Sequence, residues 1–197
     1  MTGLINVLEF RKTELIGNVM KFTIADLKKE LGKRTKEQII QEISTLCQRF
    51  PQVREYYRSQ ADDTDDIVNK YKEIIEKEFI EGKARGFPKA RLSVARKSVN
   101  DFKKITSHPN LIADVMFTYV ESISSFCSDF NPDTEEYYTS PENMFEEVLA
   151  LLKKNGMEKD YERRAYEIVE NATDGYGHFD SLQDRYEEIY GDFEKIS

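Results

Sequence analysis

From Met20 onward the apolar residues return every three or four positions, the spacing of an α-helix with one side turned inward. Thr23 followed by Asp26 predicts a capped start for a short first helix that carries Leu27 and Leu31 and ends at Gly32. Thr35 with Gln38 predicts the next start, and Ile39, Ile40, Ile43, Leu46, Cys47 and Phe50 then recur at helical spacing. Pro51 ends that helix and opens a third over PQVREYYRSQ, because proline fits the first helical position. The acidic run ADDTDD predicts a loop and the negative first turn of a fourth helix, whose inner face is Ile67, Val68, Tyr71, Ile74, Ile75 and Phe79. Gly82, Gly86 and Pro88 break the pattern, and a fifth helix is predicted from about Lys89 to Ile105, halted at Ser107-His108-Pro109.

Between Pro109 and Phe130 the apolar positions cover more than one stripe, so this helix must be surrounded by others and is expected at the centre. After a short acidic-aromatic turn, Ser140-Pro141-Glu142 supplies a cap, a proline and an acid for a helix ending at Asn155-Gly156. Another runs from about Glu158 to Asn171, followed by the glycine-rich loop DGYGHFD and a terminal aromatic helix. Only Leu4 to Leu8 reads as strand, too short to build a sheet alone. The expected fold is therefore all-α, an irregular bundle of about eight helices, with stacked helical hairpins as the other arrangement. No motif repeats at a fixed period. Residues 1–19 are expected as an N-terminal arm, with Met20 as an alternative start, and residues 20–197 as a single helical domain.

Composition narrows the class. With 39% hydrophobic and 34% charged residues, nine Gly and five Pro, the 197-residue chain is neither collagen-like nor low-complexity. The 29 basic residues against 37 acidic ones give a net charge of −8, which disfavours the whole chain as a binder of nucleic acid or anionic membrane. No apolar run reaches the roughly 18–20 residues of a membrane span. Glu9 and Glu14 interrupt the N-terminal apolar residues, so no secretory signal is read and a cytoplasmic location is expected. Cys47 and Cys127 lack partners at metal or redox spacing and read as small core hydrophobes.

Two segments could carry chemistry. Lys83 to Lys104 holds eight basic residues and one acid, Asp101. Projected at about 100° per residue, Lys89, Arg96, Lys97, Lys103 and Lys104 fall within about 120° of one another, opposite Leu92, Ala95, Val99, Phe102 and Ile105. Such a cluster can hold phosphates through lysine point charges and arginine forks. It can equally be a solvated face or pair internally, since residues 133–197 carry eighteen acids against seven bases. The second segment is the loop at 174–180, where His178 stands between Asp174 and Asp180 and could serve a metal or act as a base. Caps and turns account for the same residues, and one His with two Asp falls short of a ligand set, so no metal and no catalytic residue are assigned. Walker and Rossmann fingerprints and nucleophile motifs are absent, and no cofactor is expected.

The stretches RFPQVREYY, KARLSVARKSVNDFKKI, MFEEVLALLKKNG and DGYGHFDSLQDRYEEIY resemble a family of small bacterial proteins described only as a domain of unknown function. The resemblance runs from Met20 to about Tyr190 and implies an all-helical fold, with no activity, cofactor or catalytic residue to carry over. Together these observations lead to an expectation of a non-enzymatic helical module that binds another macromolecule. The partner expected is a protein or a second copy of the chain. Nucleic acid or a phospholigand on the 83–104 segment is the second reading, an enzyme or metal site at 174–180 the third, and no membrane partner is expected.

Overall fold

A computed structural model describes residues 22–60, 64–80 and 87–194. Among these residues there are nine α-helices and no strand, so the fold is all-α. The helices are α1 (Ile24–Leu31), α2 (Lys36–Arg49), α3 (Pro51–Arg58), α4 (Asp65–Phe79), α5 (Leu92–Ile105), α6 (Pro109–Phe130), α7 (Glu136–Asn155), α8 (Glu158–Glu170) and α9 (His178–Tyr190), with a 3-10 turn at Gly175–Gly177. The strand-like Leu4 to Leu8, the 1–19 arm, the start of ADDTDD, and Gly82, Lys83, Arg85 and Gly86 lie outside the described residues. No helix of the described residues is long and apolar enough to cross a membrane.

Two compact units divide the chain, Met1–Thr45 and Leu46–Ser197, and the division falls inside α2. In the first unit the expected caps form. The Thr23 hydroxyl accepts from the Asp26 N–H at 3.2 Å while the Asp26 carboxylate accepts from the Thr23 N–H at 2.9 Å. Thr35 and Gln38 repeat the arrangement at the head of α2. An ion pair between Arg34 and Glu42 fastens the turn to α2. No residue of α1, α2 or α3 is buried.

In the second unit α6 is the centre, with twelve of its twenty-two residues buried. It packs against α4, α5, α7 and α8, while α9 closes on α7 and α8. Aromatic rings fill the interior: Phe117 stacks on Tyr161 at 5.4 Å and meets Phe145 edge-on, and Phe126 lies against Phe79, Phe130 and Tyr137. Arg164 of α8 covers the Phe117 ring at 5.0 Å and forks onto Glu121 at 2.6 and 2.8 Å, with a further bond to Asp114 at 2.8 Å, so one guanidinium binds α8 to α6.

Three boundaries differ from the sequence expectation, each for a local reason. The fifth helix begins at Leu92, three residues late, because Ala90 adopts a left-handed φ of 51°. Its N–H donates to the Glu78 carbonyl at 2.8 Å, its carbonyl accepts from the Tyr137 hydroxyl at 3.0 Å, and Arg91 forks onto Glu78 at 2.8 and 2.5 Å. Tertiary bonds thus hold the segment out of the helix, and Lys89 precedes the helix rather than standing on its face. The seventh helix begins at Glu136, not at Pro141, so the acidic-aromatic turn is helical and the proline sits inside. Proline has no N–H for the carbonyl of Tyr137 four residues back. The Cys127 thiol donates to that carbonyl instead, at 3.3 Å from Sγ. Finally, α9 starts at His178, with Gly177 at φ 69° before it, so His178, Phe179 and Asp180, expected in the glycine-rich loop, form its first turn.

Of the two free cysteines, Cys127 is buried and Cys47 half-buried. Burial, reinforced by the charge of Glu142, pushes the Cys127 thiol up to about 12. Since the thiolate is the nucleophile, a disulfide reagent at neutral pH is expected to titrate one thiol per native chain, Cys47, and two in guanidinium. Rapid titration of two in the native chain would contradict the assignment.

Candidate functional site

A groove of about 680 Å³ is formed by α3, α4 and α5. Its position follows from two buried serines that fix the surrounding backbone. Ser59, just past α3, donates to the Ile105 carbonyl at the end of α5 at 2.5 Å, and Ser98 of α5 donates to the Tyr71 carbonyl of α4 at 3.0 Å. Ile105 lies in the floor, while Tyr56 and Tyr57, edge-to-face at 5.4 Å and nearly half exposed, stand on the α3 side.

The charges in the groove are layered by depth. Glu55 is 14% and Asp101 30% exposed, whereas the side chains of Lys97, Lys104 and Lys70 are 75%, 72% and 54% exposed. Lys70 and the Tyr71 hydroxyl both bond to Glu55, and these two bonds outweigh the desolvation that opposes them, holding its carboxyl below the ordinary range. Lys97 and Lys104, the latter at 2.9 Å, hold Asp101 below its ordinary range as well. Cationic heads and aromatic edges therefore face outward over neutralised acids.

The other basic residues singled out by the helical projection are also engaged. Arg96 and Lys103 converge on Glu147 of α7 at 3.3 and 3.1 Å, so one acid of the C-terminal third covers part of the basic face. Lys89 is exposed in the segment before α5, beside the paired Glu78. The structure thus brings Lys97 and Lys104 together on Asp101 and Arg96 and Lys103 together on Glu147, and sets Lys89 apart.

His178 is fully buried, while Asp174 and Asp180 are exposed. Its partners come from elsewhere: Nδ1 lies 2.8 Å from Glu142 Oε1 on α7, and Nε2 lies 3.0 Å from Ser124 Oγ on α6. A carboxylate only accepts, so Nδ1 carries a hydrogen, and Nε2 shares a hydrogen bond with the Ser124 hydroxyl. The order serine, histidine, carboxylate is that of an activated nucleophile. Ser124 also borders a hollow of about 480 Å³. Acyl transfer needs donors aimed at a developing oxyanion; that wall carries Glu121 and Glu167 beside Ser125, Ser128 and Asn171, and the Ser128 hydroxyl and the Asn171 amide already donate to backbone carbonyls. What the cluster does by geometry is join α6, α7 and α9 with every imidazole nitrogen satisfied. No group of three His, Cys, Asp or Glu among the described residues is arranged to hold a metal ion. The partners of His178 lie 36 and 54 residues away, and the visible hint was a polar Ser124 on the apolar arc of α6.

No curated protein and no solved structure matches the chain. A family model does, over residues 22–194, which includes the α3–α5 groove and the His178 cluster. The chain belongs to DUF6155, a family of unknown function.

Proposed function

We propose that this chain is a non-enzymatic helical module of the bacterial cytoplasm that binds a protein partner in the α3–α5 groove. The observation that carries this reading is the layering of that groove, with exposed Tyr56, Tyr57, Lys97 and Lys104 above acids that are already paired. Tyrosine is favoured at interfaces because it buries a large ring and keeps a wet hydroxyl. The lysine heads favour an acidic segment on the partner. The two unbridged cysteines support the cytoplasmic setting.

A photoreactive residue placed at Tyr57 is expected to give a discrete protein adduct in cells, and the double substitution Lys97→Glu with Lys104→Glu should abolish it. The same probe at Lys153, on the exposed side of α7, serves as the control. An adduct at Tyr57 that survives the charge reversal, or none above the Lys153 control, would defeat the groove reading.

The second reading, nucleic-acid or phospholigand binding by the basic segment, has the exposed Lys97 and Lys104 heads in its favour. Four of its five proposed contacts share two acids, Asp101 and Glu147, which lowers the net positive potential that phosphate binding requires. Labelled oligothymidylate and duplex DNA are therefore expected to show weak, flat binding as salt is lowered. A steep salt dependence that disappears with Lys97→Glu and Lys104→Glu would reverse the order of the two readings.

A further inference from the structure

Helix α2 carries Ile39, Ile43 and Leu46 at steps of four and three, and Phe50 continues the series one step beyond the last helical residue, its N–H still donating to the Leu46 carbonyl at 2.8 Å. This is the alternation of a two-stranded coiled-coil seam. None of the four is buried, and Phe50 is half exposed. A fourteen-residue helix is marginal when its apolar stripe is left in water.

We propose that α2 pairs antiparallel with α2 of a second copy of this chain. The seam is self-complementary when read backwards: Ile39 falls opposite Phe50 of the second copy, and Ile43 opposite its Leu46, with both layers repeated by the two-fold axis. The flanks select the same arrangement. Glu42 and Arg49 lie on one edge of the seam, and the antiparallel alignment sets Glu42 of each copy beside Arg49 of the other. Ile40, 53% exposed, and Cys47 lie on the opposite edge and meet in the same way, widening the apolar strip. A parallel alignment would put Glu42 beside Cys47 and form no charge pair.

Charge among the described residues of this region does not repel a second copy. Residues 22–50 hold six basic and four acidic residues, so the acid excess of the chain lies elsewhere. The pair that Glu42 makes with Arg34 is exposed on both sides, and such pairs contribute little and exchange readily. The interface is two heptads long, which makes a weak, concentration-dependent dimer.

Sedimentation of the full chain over a concentration series tests this. The wild type is expected to pass from monomer to dimer as concentration rises. Ile43→Asp should stay monomeric with its helical circular dichroism and melting temperature unchanged, since the position is outside the buried core. Glu42→Arg or Arg49→Glu alone should each weaken the dimer about five-fold by placing like charges together twice per dimer, and the double variant should recover it. A wild type that remains monomeric throughout, a dimer indifferent to Ile43→Asp, or a double variant no better than the singles would each overturn the proposal. The inference is independent of the groove, so Lys97→Glu with Lys104→Glu should leave the dimer intact whatever it does to partner binding.

Discussion

Replacing His178 with alanine is expected to lower the unfolding free energy by about 3–5 kcal/mol, the range found when one member of a buried polar or ionic pair is removed. The imidazole is fully buried, and its loss leaves Glu142, 8% exposed, facing a hollow where an N–H had been at 2.8 Å. Ser124 loses its hydrogen-bond partner at the same moment. The ring also packs edge-on to Tyr138 at 5.8 Å, so a packing loss adds to the polar one. Removing the acid together with the ring, as His178→Leu with Glu142→Leu, should recover part of the loss, because two apolar groups leave no orphaned charge. Urea denaturation of the three proteins measures both effects. A single variant within about 1 kcal/mol of wild type would mean that the cluster does not tie the helices.

Phe117→Ala is expected to cost a similar amount, about 3–5 kcal/mol, and to lower the melting temperature by roughly 6–20 °C. The residue is fully buried in the middle of α6. Its ring stacks on Tyr161, meets Phe145 edge-on and supports the Arg164 guanidinium, so truncation opens a cavity and removes the surface on which the α6–α8 ion network rests. Phe117→Leu should cost less than half as much, since most of the volume is kept. Equal melting temperatures for the alanine and leucine variants would show that the site collapses on itself.

The all-α class and most helix starts were legible because they depend on neighbours in sequence. Thr23 with Asp26 and Thr35 with Gln38 are caps that four consecutive residues define, and the wide apolar arc of Pro109–Phe130 required surrounding helices whatever their order. The misjudged boundaries depend on distant residues. Ala90 is left-handed because Glu78 and Tyr137 hold its two backbone groups, and no local pattern announces either. Pro141 reads as a helix start unless a donor for the Tyr137 carbonyl is known, and that donor is Cys127. The candidate site divides in the same way. The outward direction of Lys97 and Lys104 came from helical periodicity, whereas their pairing needed Asp101, about one turn from each, and that of Arg96 and Lys103 needed Glu147 from α7. The tyrosines of α3 join them only because Ser59 and Ser98 bring three helices together.

The sulfur that takes the place of an amide hydrogen at Tyr137 has a chemical consequence. Oxidation of Cys127 as far as the sulfinate, or its alkylation, removes the hydrogen and turns a donor facing a carbonyl into an oxygen or an added group facing it. In the closed fold the thiol is shielded, so the damage falls on chains that have opened. Such a chain can no longer seat α7 against α6, and each opening under oxidising conditions becomes a one-way loss of native protein.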